Sequence, residues 1–277
     1  MDVFSGKVAV ITGAASGIGR ALADRCAAEG MRVVLADIEQ APLDASVAEL
    51  RGGGCEVIGV LTDVSDAESV EQLAQRTYDA FGNSHLVFNN AGVFGTRPGP
   101  IWEATLNDWR WIFGVNVWGV LHGLRSFVPR MLASGEEGWL VNTASMGGLV
   151  PGGSPYGVSK HAVVAISEAL YSHLSERSTL VGCSVLCPIY VRTQILSAAR
   201  NRPHELVDTD GPRVDGPTRL GGRIETGQPP SEIADATFEG IRRRQFYIWP
   251  GDEVDHIVKT RFDHILARSN PEVRPFS

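Results

Sequence analysis

The sequence predicts an α/β fold, a doubly wound parallel sheet of seven strands with helices on both faces. Three observations carry this. Short β-branched apolar runs alternate with stretches of helical periodicity along all 277 residues. The runs VAVIT and VVLA are apolar throughout, as strands covered on both sides must be. A glycine cluster joins the first run to the first helical stretch, a strand-to-helix turn of the βαβ kind.

Each element has its own signal. Strands are expected over residues 7–12, 32–37, 55–61, 85–89, 139–145, 180–187 and 245–249. The first helix, over 17–30, has Ile18, Leu22 and Cys26 four apart and Gly30 as its stop. Further helices are expected over 42–50, 66–81, 105–131, 154–178, 231–243 and 252–268. In the 154–178 helix, Ser154 is placed to cap and Pro155 suits the first position. Residues 194–230 break the rhythm, with five prolines and five glycines. A connection that long is usually functional, so it is expected to act as a lid over a site within a single domain spanning 1–277.

Composition excludes several classes. The formal charge of −7 disfavours nucleic acid and anionic membranes as partners. No apolar run approaches the ~20 residues that a spanning helix needs. Cys26, Cys55, Cys183 and Cys187 form no Cys-x-x-Cys pair. They read as reduced side chains, and with no leader pattern at the start the expected location is cytoplasmic. Histidines show no metal spacing, so no metal is expected.

The turn Thr12-Gly13-Ala14-Ala15-Ser16-Gly17-Ile18-Gly19 suits a pyrophosphate. Gly13 allows the tight turn, Gly17 a close backbone approach and Gly19 close helix–strand packing. The helix start supplies free N–H groups and partial positive charge. This is the Rossmann-like arrangement, although the spacing is G-x-x-x-G-x-G. Asp37 ends the second strand, where a carboxylate can take both ribose hydroxyls and repel a 2′-phosphate. Ile38, Glu39 and Gln40 follow it, with no basic residue, so NAD is the expected cofactor. Asp63-Val64 and Asn90-Ala91-Gly92 stand at the ends of the third and fourth strands, where such ligands sit.

Tyr156 and Lys160 lie four apart in the first turns of a helix, on one face. An ammonium about 4 Å from a phenol, at an effective dielectric near 20, favours the phenolate by about 4 kcal/mol, roughly three pKa units. Such a tyrosine is a candidate proton relay.

Together the motifs carry a resemblance. TGAASGIG, Asp63-Val64, NNAG, Asn116 in GVNVWG, Ser145 in VNTAS, YGVSK and Pro188…Thr193 in CPIYVRT occur in the order of the short-chain dehydrogenases/reductases. The resemblance covers about residues 5–250. It implies that Ser145 holds the substrate oxygen near Tyr156 and that Lys160 also binds the nicotinamide ribose. It implies that Asn116 holds a water in a proton relay, and that Pro188, Ile189, Val191 and Thr193 hold the carboxamide. Two positions depart from the family. Tyr156 follows Ser145 by only eleven positions, so Thr143 and Ser154 compete for the catalytic hydroxyl. Ser145 is chosen because it ends its strand as the family's serine does. Ile189 stands where a glycine often follows the proline.

The expected activity is NAD-dependent interconversion of a secondary alcohol and a ketone. Phe94, Met146, Leu149, Ile189, Tyr190 and Leu196 are expected to wall an apolar pocket for it. The resemblance also implies a homodimer or homotetramer through the helices over 105–131 and 154–178. Two rival readings are a non-catalytic NAD-binding sensor and a nucleotide-sugar epimerase or dehydratase. The first conflicts with the intact hydroxyl and lysine set, the second with the short stretch after Thr193.

Overall fold

A computed structural model describes residues 4–95, 100–177, 179–208, 219–252 and 255–271. Its seven strands are β1 (Val8–Thr12), β2 (Arg32–Asp37), β3 (Val57–Leu61), β4 (Leu86–Asn89), β5 (Gly138–Thr143), β6 (Val181–Leu186) and β7 (Tyr247–Ile248). All pair in parallel, in the order β3-β2-β1-β4-β5-β6-β7. The chain builds outward from β1 to β3, then returns to β4 on the other side of β1. Such a reversal is where a ligand crevice opens beyond the strands' carboxyl ends.

The sheet is buried on both faces because its strands alternate apolar residues to each. Ala9 and Ile11, Val33 and Leu35, and Leu86 and Phe88 enter one core. Helices α1 (Gly17–Ala28), α2 (Gln40–Gly52) and α8 (Pro230–Arg242) cover that face. Val8 and Val10, Val34 and Ala36, and Val87 point the other way. There α3 (Ala67–Phe81), α5 (Gly119–Ser134) and α6 (Pro155–Glu176) close over them. Helices α4 (Leu106–Phe113), α7 (Arg219–Glu225) and α9 (Asp255–Ala267) complete the described set.

The helix expected over 105–131 differs in detail. Thr105 caps it and exchanges hydrogen bonds with Asp108, closing a capping box. Five residues, Gly114–Trp118, then form a π turn before α5 resumes. One extra residue in the turn leaves the apolar stripe readable while re-aiming Asn116. In the 194–230 stretch, Ile195–Asn201 and His204–Leu206 form 3₁₀ turns and α7 follows. Positions 209–218 of the expected lid lie outside the described residues, as do 178 and 253–254 of two expected helices. All four cysteines are free, and three are buried. No helix among the described residues is long and apolar enough to cross a membrane.

Phe238 on α8 is fully buried, with its ring 5.0 Å from that of Phe4 and 6.3 Å from that of Phe88. Phe238→Ala is expected to lower the free energy of unfolding by about 3–5 kcal/mol, because neighbours fixed by the sheet cannot collapse into the gap. Urea denaturation measures this; a loss below about 1 kcal/mol would contradict the packing.

Candidate active site

One cavity of about 570 Å³ runs along the carboxyl ends of the strands. Gly13, Ser16, Gly17 and Ile18 line it from the turn after β1, and Asp37 from the end of β2. Asp63 and Val64 follow β3, and Asn90, Ala91 and Gly92 follow β4. Pro188, Ile189, Val191 and Thr193 line it after β6, while Ser145, Tyr156 and Lys160 complete the wall. Gly19 and Asn116 are not on the wall.

The turn's glycines have separate duties. Gly17 takes φ +54°, and a Cβ there would lie 3.0 Å from Thr193 Cγ2, so the lining loops pass close together. A Cβ on Gly19 would fall 2.0 Å from the Gly13 carbonyl oxygen. Gly19 therefore seats α1 against the turn from behind. The Thr12 hydroxyl accepts from the Asn90 and Ala91 N–H groups and ties the β4 loop to β1. Asp37 accepts from Ala15 N–H at 2.9 Å and from Glu39 N–H at 3.1 Å. Each of its oxygens keeps a lone pair for a further hydroxyl.

The absence of a basic residue after Asp37 in sequence is offset in space. Arg200, from the 195–201 turn, makes a bidentate pair with Glu39 at 2.9 and 2.6 Å. Both residues line the cavity. With 161 positions between them, no local signal announces the pair.

At the other end, α6 brings Tyr156 and Lys160 to the wall. Ser154 caps the helix by accepting from Gly157 N–H at 3.2 Å, and Pro155 sits at its first position. The Thr143 hydroxyl is turned toward Asn90 at 3.3 Å. Ser145 is different: its hydroxyl lies beside the Tyr156 phenol, whose acidity it favours, and donates to the Pro188 carbonyl at 3.5 Å. It also accepts from Gly147 N–H at 3.1 Å. The short span to Tyr156 is taken up by a 3₁₀ turn, Met146–Gly148. Ile189 sits in ordinary backbone, and the Pro188 carbonyl before it accepts from Met146 N–H at 3.0 Å.

Lys160 is only 3% exposed. Its ammonium donates to the Thr143 carbonyl at 2.9 Å, its one acceptor among the described residues. Burial pulls its pKa down to about 8. The expected acidic phenol is not found in this arrangement. The ammonium lies 5.6 Å from the Tyr156 ring centroid and points to Thr143, and burial raises the phenol's pKa, with the Ser145 hydroxyl opposing. Spacing had placed the two side chains on one face but could not report their burial.

Asn116 accepts from Val93 N–H at 2.8 Å and donates to the Val93 carbonyl and to Ser159 Oγ, both at 3.0 Å. Ser159 in turn donates to the Tyr156 carbonyl at 2.7 Å. Asn116 thus fastens the first turn of α6 to the β4 loop from behind the wall.

Two features escaped the sequence. Asn89 donates to Asn142, and Asn142 to Ser167, in a fully buried chain joining β4, β5 and α6. The register pairing Asn89 with Asn142 was its available signal. The Phe94 ring also packs 4.7 Å from that of Tyr156. Of the apolar wall expected, Phe94, Met146, Ile189 and Tyr190 are in place. Leu149 instead turns into the core and Leu196 to solvent, and their neighbours Val150 and Ile195 face the cavity.

The donors present fit a dinucleotide. Free N–H groups of a buried ammonium suit vicinal ribose hydroxyls at one end, and a carboxylate suits them at the other. A crevice of this reach at the carboxyl ends of a parallel sheet defines a nucleotide-binding fold of the Rossmann-like class. Comparison with known proteins narrows the class. Residues 7–204 match the family model described as short chain dehydrogenase. The chain is 36% identical to the 1-deoxy-11-beta-hydroxypentalenate dehydrogenase of Streptomyces exfoliatus, covering 94% of this chain and 88% of that one. It is 31% identical to a CLA biosynthesis dehydrogenase/reductase of Lactiplantibacillus plantarum, covering 99% and 98%. A crystal structure of a short chain dehydrogenase/reductase from Burkholderia phymatum, in complex with NAD, superposes with a TM-score of 0.93, at 45% identity and full coverage of both chains. The chain belongs to the short-chain dehydrogenase/reductase family.

Lys160 makes a pH prediction. Unfolded lysine holds its proton to about 10.4, folded Lys160 to about 8. Between these values the unfolded chain binds the extra proton, so this group's contribution to stability grows as pH rises and is lost as pH falls through 8. The unfolding free energy of the wild type minus that of Lys160→Met should shift toward the wild type by about 1–3 kcal/mol from pH 7.5 to 10. A flat difference would contradict a buried ammonium.

Proposed function

We propose that the protein is an NAD-dependent alcohol dehydrogenase or ketoreductase acting on a secondary alcohol or ketone with an apolar or aromatic body. The observation that carries the reading is the Ser145–Tyr156 hydroxyl pair, with the Lys160 ammonium one helical turn behind it, at the far end of the cavity from Asp37. A bound nicotinamide ring supplies the hydride acceptor or donor.

Ser145 holds the substrate oxygen by a hydrogen bond. In the reductive direction Tyr156 gives its phenolic proton to that oxygen as it becomes an alcohol. Burial keeps the phenol protonated, which suits a donor. In the oxidative direction Tyr156 takes the hydroxyl proton as phenolate, a form that the Ser145 hydroxyl favours against burial. Asn116 acts by positioning the Tyr156 turn, and the relay reading gives it a water to hold as well. Ile195, Ala198, Leu220 and Ile224, from the described parts of the 194–230 stretch, wall the cavity and keep water from the reacting carbon. Met146, Ile189 and Phe94 give the substrate an apolar seat. The π turn before α5 leaves Trp118 exposed and α6 leaves Tyr171 exposed, which suits a dimer or tetramer of this chain.

Tyr156→Phe removes the proton carrier without changing the wall. Its kcat/KM on a panel of secondary alcohols, read as NADH absorbance, should fall at least about 10³-fold, while NADH affinity stays within a few-fold. Retention of more than about a tenth of the activity would overturn the reading.

NAD preference rests on Asp37 and on Glu39 holding Arg200. Glu39→Gln frees that guanidinium to meet a 2′-phosphate. The NADP-to-NAD ratio of kcat/KM should then rise about tenfold or more. An unchanged ratio would remove Glu39 from the account of preference.

A further inference from the structure

Charge is unevenly spread around the cavity. Its acidic lining residues, Asp37, Glu39 and Asp63, all follow β2 and β3. The cations are Lys160, Arg200 and Arg223. Lys160 belongs to the reacting end and Arg200 is neutralised by Glu39. Arg223, on α7, is different. Its Nη1 donates to the Tyr190 phenol at 2.8 Å, and its guanidinium carbon sits 5.4 Å from that ring's centroid. Among the described residues no carboxylate pairs with it.

Arg223 is also held in place. Tyr190 follows Pro188 and Ile189 directly, the segment beside the reacting end. Gln228, just after α7, donates its N–H to the Tyr190 carbonyl at 2.9 Å and accepts from Arg192 N–H at 3.0 Å. This stitches the α7 segment to the strand-end loop. The rest of that wall is apolar, with Leu220, Ile224 and Ile257.

We infer that Arg223 anchors a carboxylate, so that the substrate class is a hydroxy acid or keto acid with an apolar spacer between the reacting carbon and the acid group. This rests on the dehydrogenase reading above. A guanidinium offers five N–H groups in a planar fork that matches a carboxylate, and the phenol takes one of them. The Tyr190 ring supports the plane from beneath. Because Arg223 rides on the segment after Thr193, the bound acid also ties that segment to the Tyr190 loop.

The test uses 5-, 7- and 9-hydroxydecanoate and their methyl esters with NAD. In the wild type the acid is expected to exceed its ester in kcat/KM by about tenfold or more at the best hydroxyl position. The ratio should fall to about 1 in Arg223→Gln and recover in part in Arg223→Lys. A wild-type ratio near 1, or one that Arg223→Gln leaves intact, overturns the inference. Decanoate binding to the NADH-loaded protein, by calorimetry, is the second readout. About tenfold weaker binding in Arg223→Gln supports the anchor, and equal binding overturns it. Equal turnover of acids and esters removes the anchor and keeps the dehydrogenase. Decanoate held through Arg223, with no hydroxyl compound oxidised, keeps the anchor and removes the dehydrogenase.

Discussion

The site depends on a buried ammonium held by a single backbone carbonyl. Lys160 has left water almost completely, and the carbonyl of Thr143 at the end of β5 accepts one hydrogen bond from it. Desolvating a cation is costly unless it is partnered, and the cost appears as a pKa near 8. The remaining N–H groups are therefore poised for an acceptor entering the cavity. A phenol and a serine hydroxyl stand beside them on the same wall of the cavity. In the proposed reading, hydroxyls of a ribose and of a substrate supply what this cluster lacks.

That cluster holds its shape because three elements are locked behind it. The buried chain from Asn89 through Asn142 to Ser167 fixes β4, β5 and α6 relative to one another. A buried polar network is stabilising when its members are satisfied, and it tolerates few other arrangements. The π turn aims Asn116 at the Val93 backbone and at Ser159, which holds the Tyr156 carbonyl. The Tyr156 and Ser145 side chains thus rest on a rigid sheet edge. The opposite wall comes from the segment after β6, fastened by Arg200 to Glu39 and by Arg202 to the buried Asp108.

The sheet and most of the cavity's lining were legible in the sequence, because both follow from local pattern. Strand runs such as VAVIT and VVLA announce burial on two faces. The Gly13–Gly19 turn announces a loop beside a cavity, and with the spacing G-x-x-x-G-x-G it still brings Gly13 and Gly17 to the cavity wall. What stayed hidden depended on distance or on irregular backbone. Arg200 reaches Glu39 from far along the chain, and Arg223 reaches Tyr190 by the same long connection. Leu149 and Leu196 were each one residue away from the side chain that does face the cavity, since no periodicity fixes facing in a loop. Tyr156's acidity was misjudged for a related reason. A four-residue spacing sets the face that two side chains share, while burial and the turn of the lysine toward Thr143 set the field the phenol feels.

A crystal structure with bound NAD measures the central claim most directly. The account requires Lys160 Nζ within about 3.2 Å of the ribose oxygens next to the nicotinamide, a true hydrogen-bond distance. It also requires the substrate oxygen's place, about 3 Å from Tyr156 Oη and Ser145 Oγ, to lie against the nicotinamide C4 face at near-attack range. A nucleotide whose nicotinamide ring points away from Tyr156, with Lys160 still bound to Thr143 alone, would contradict it.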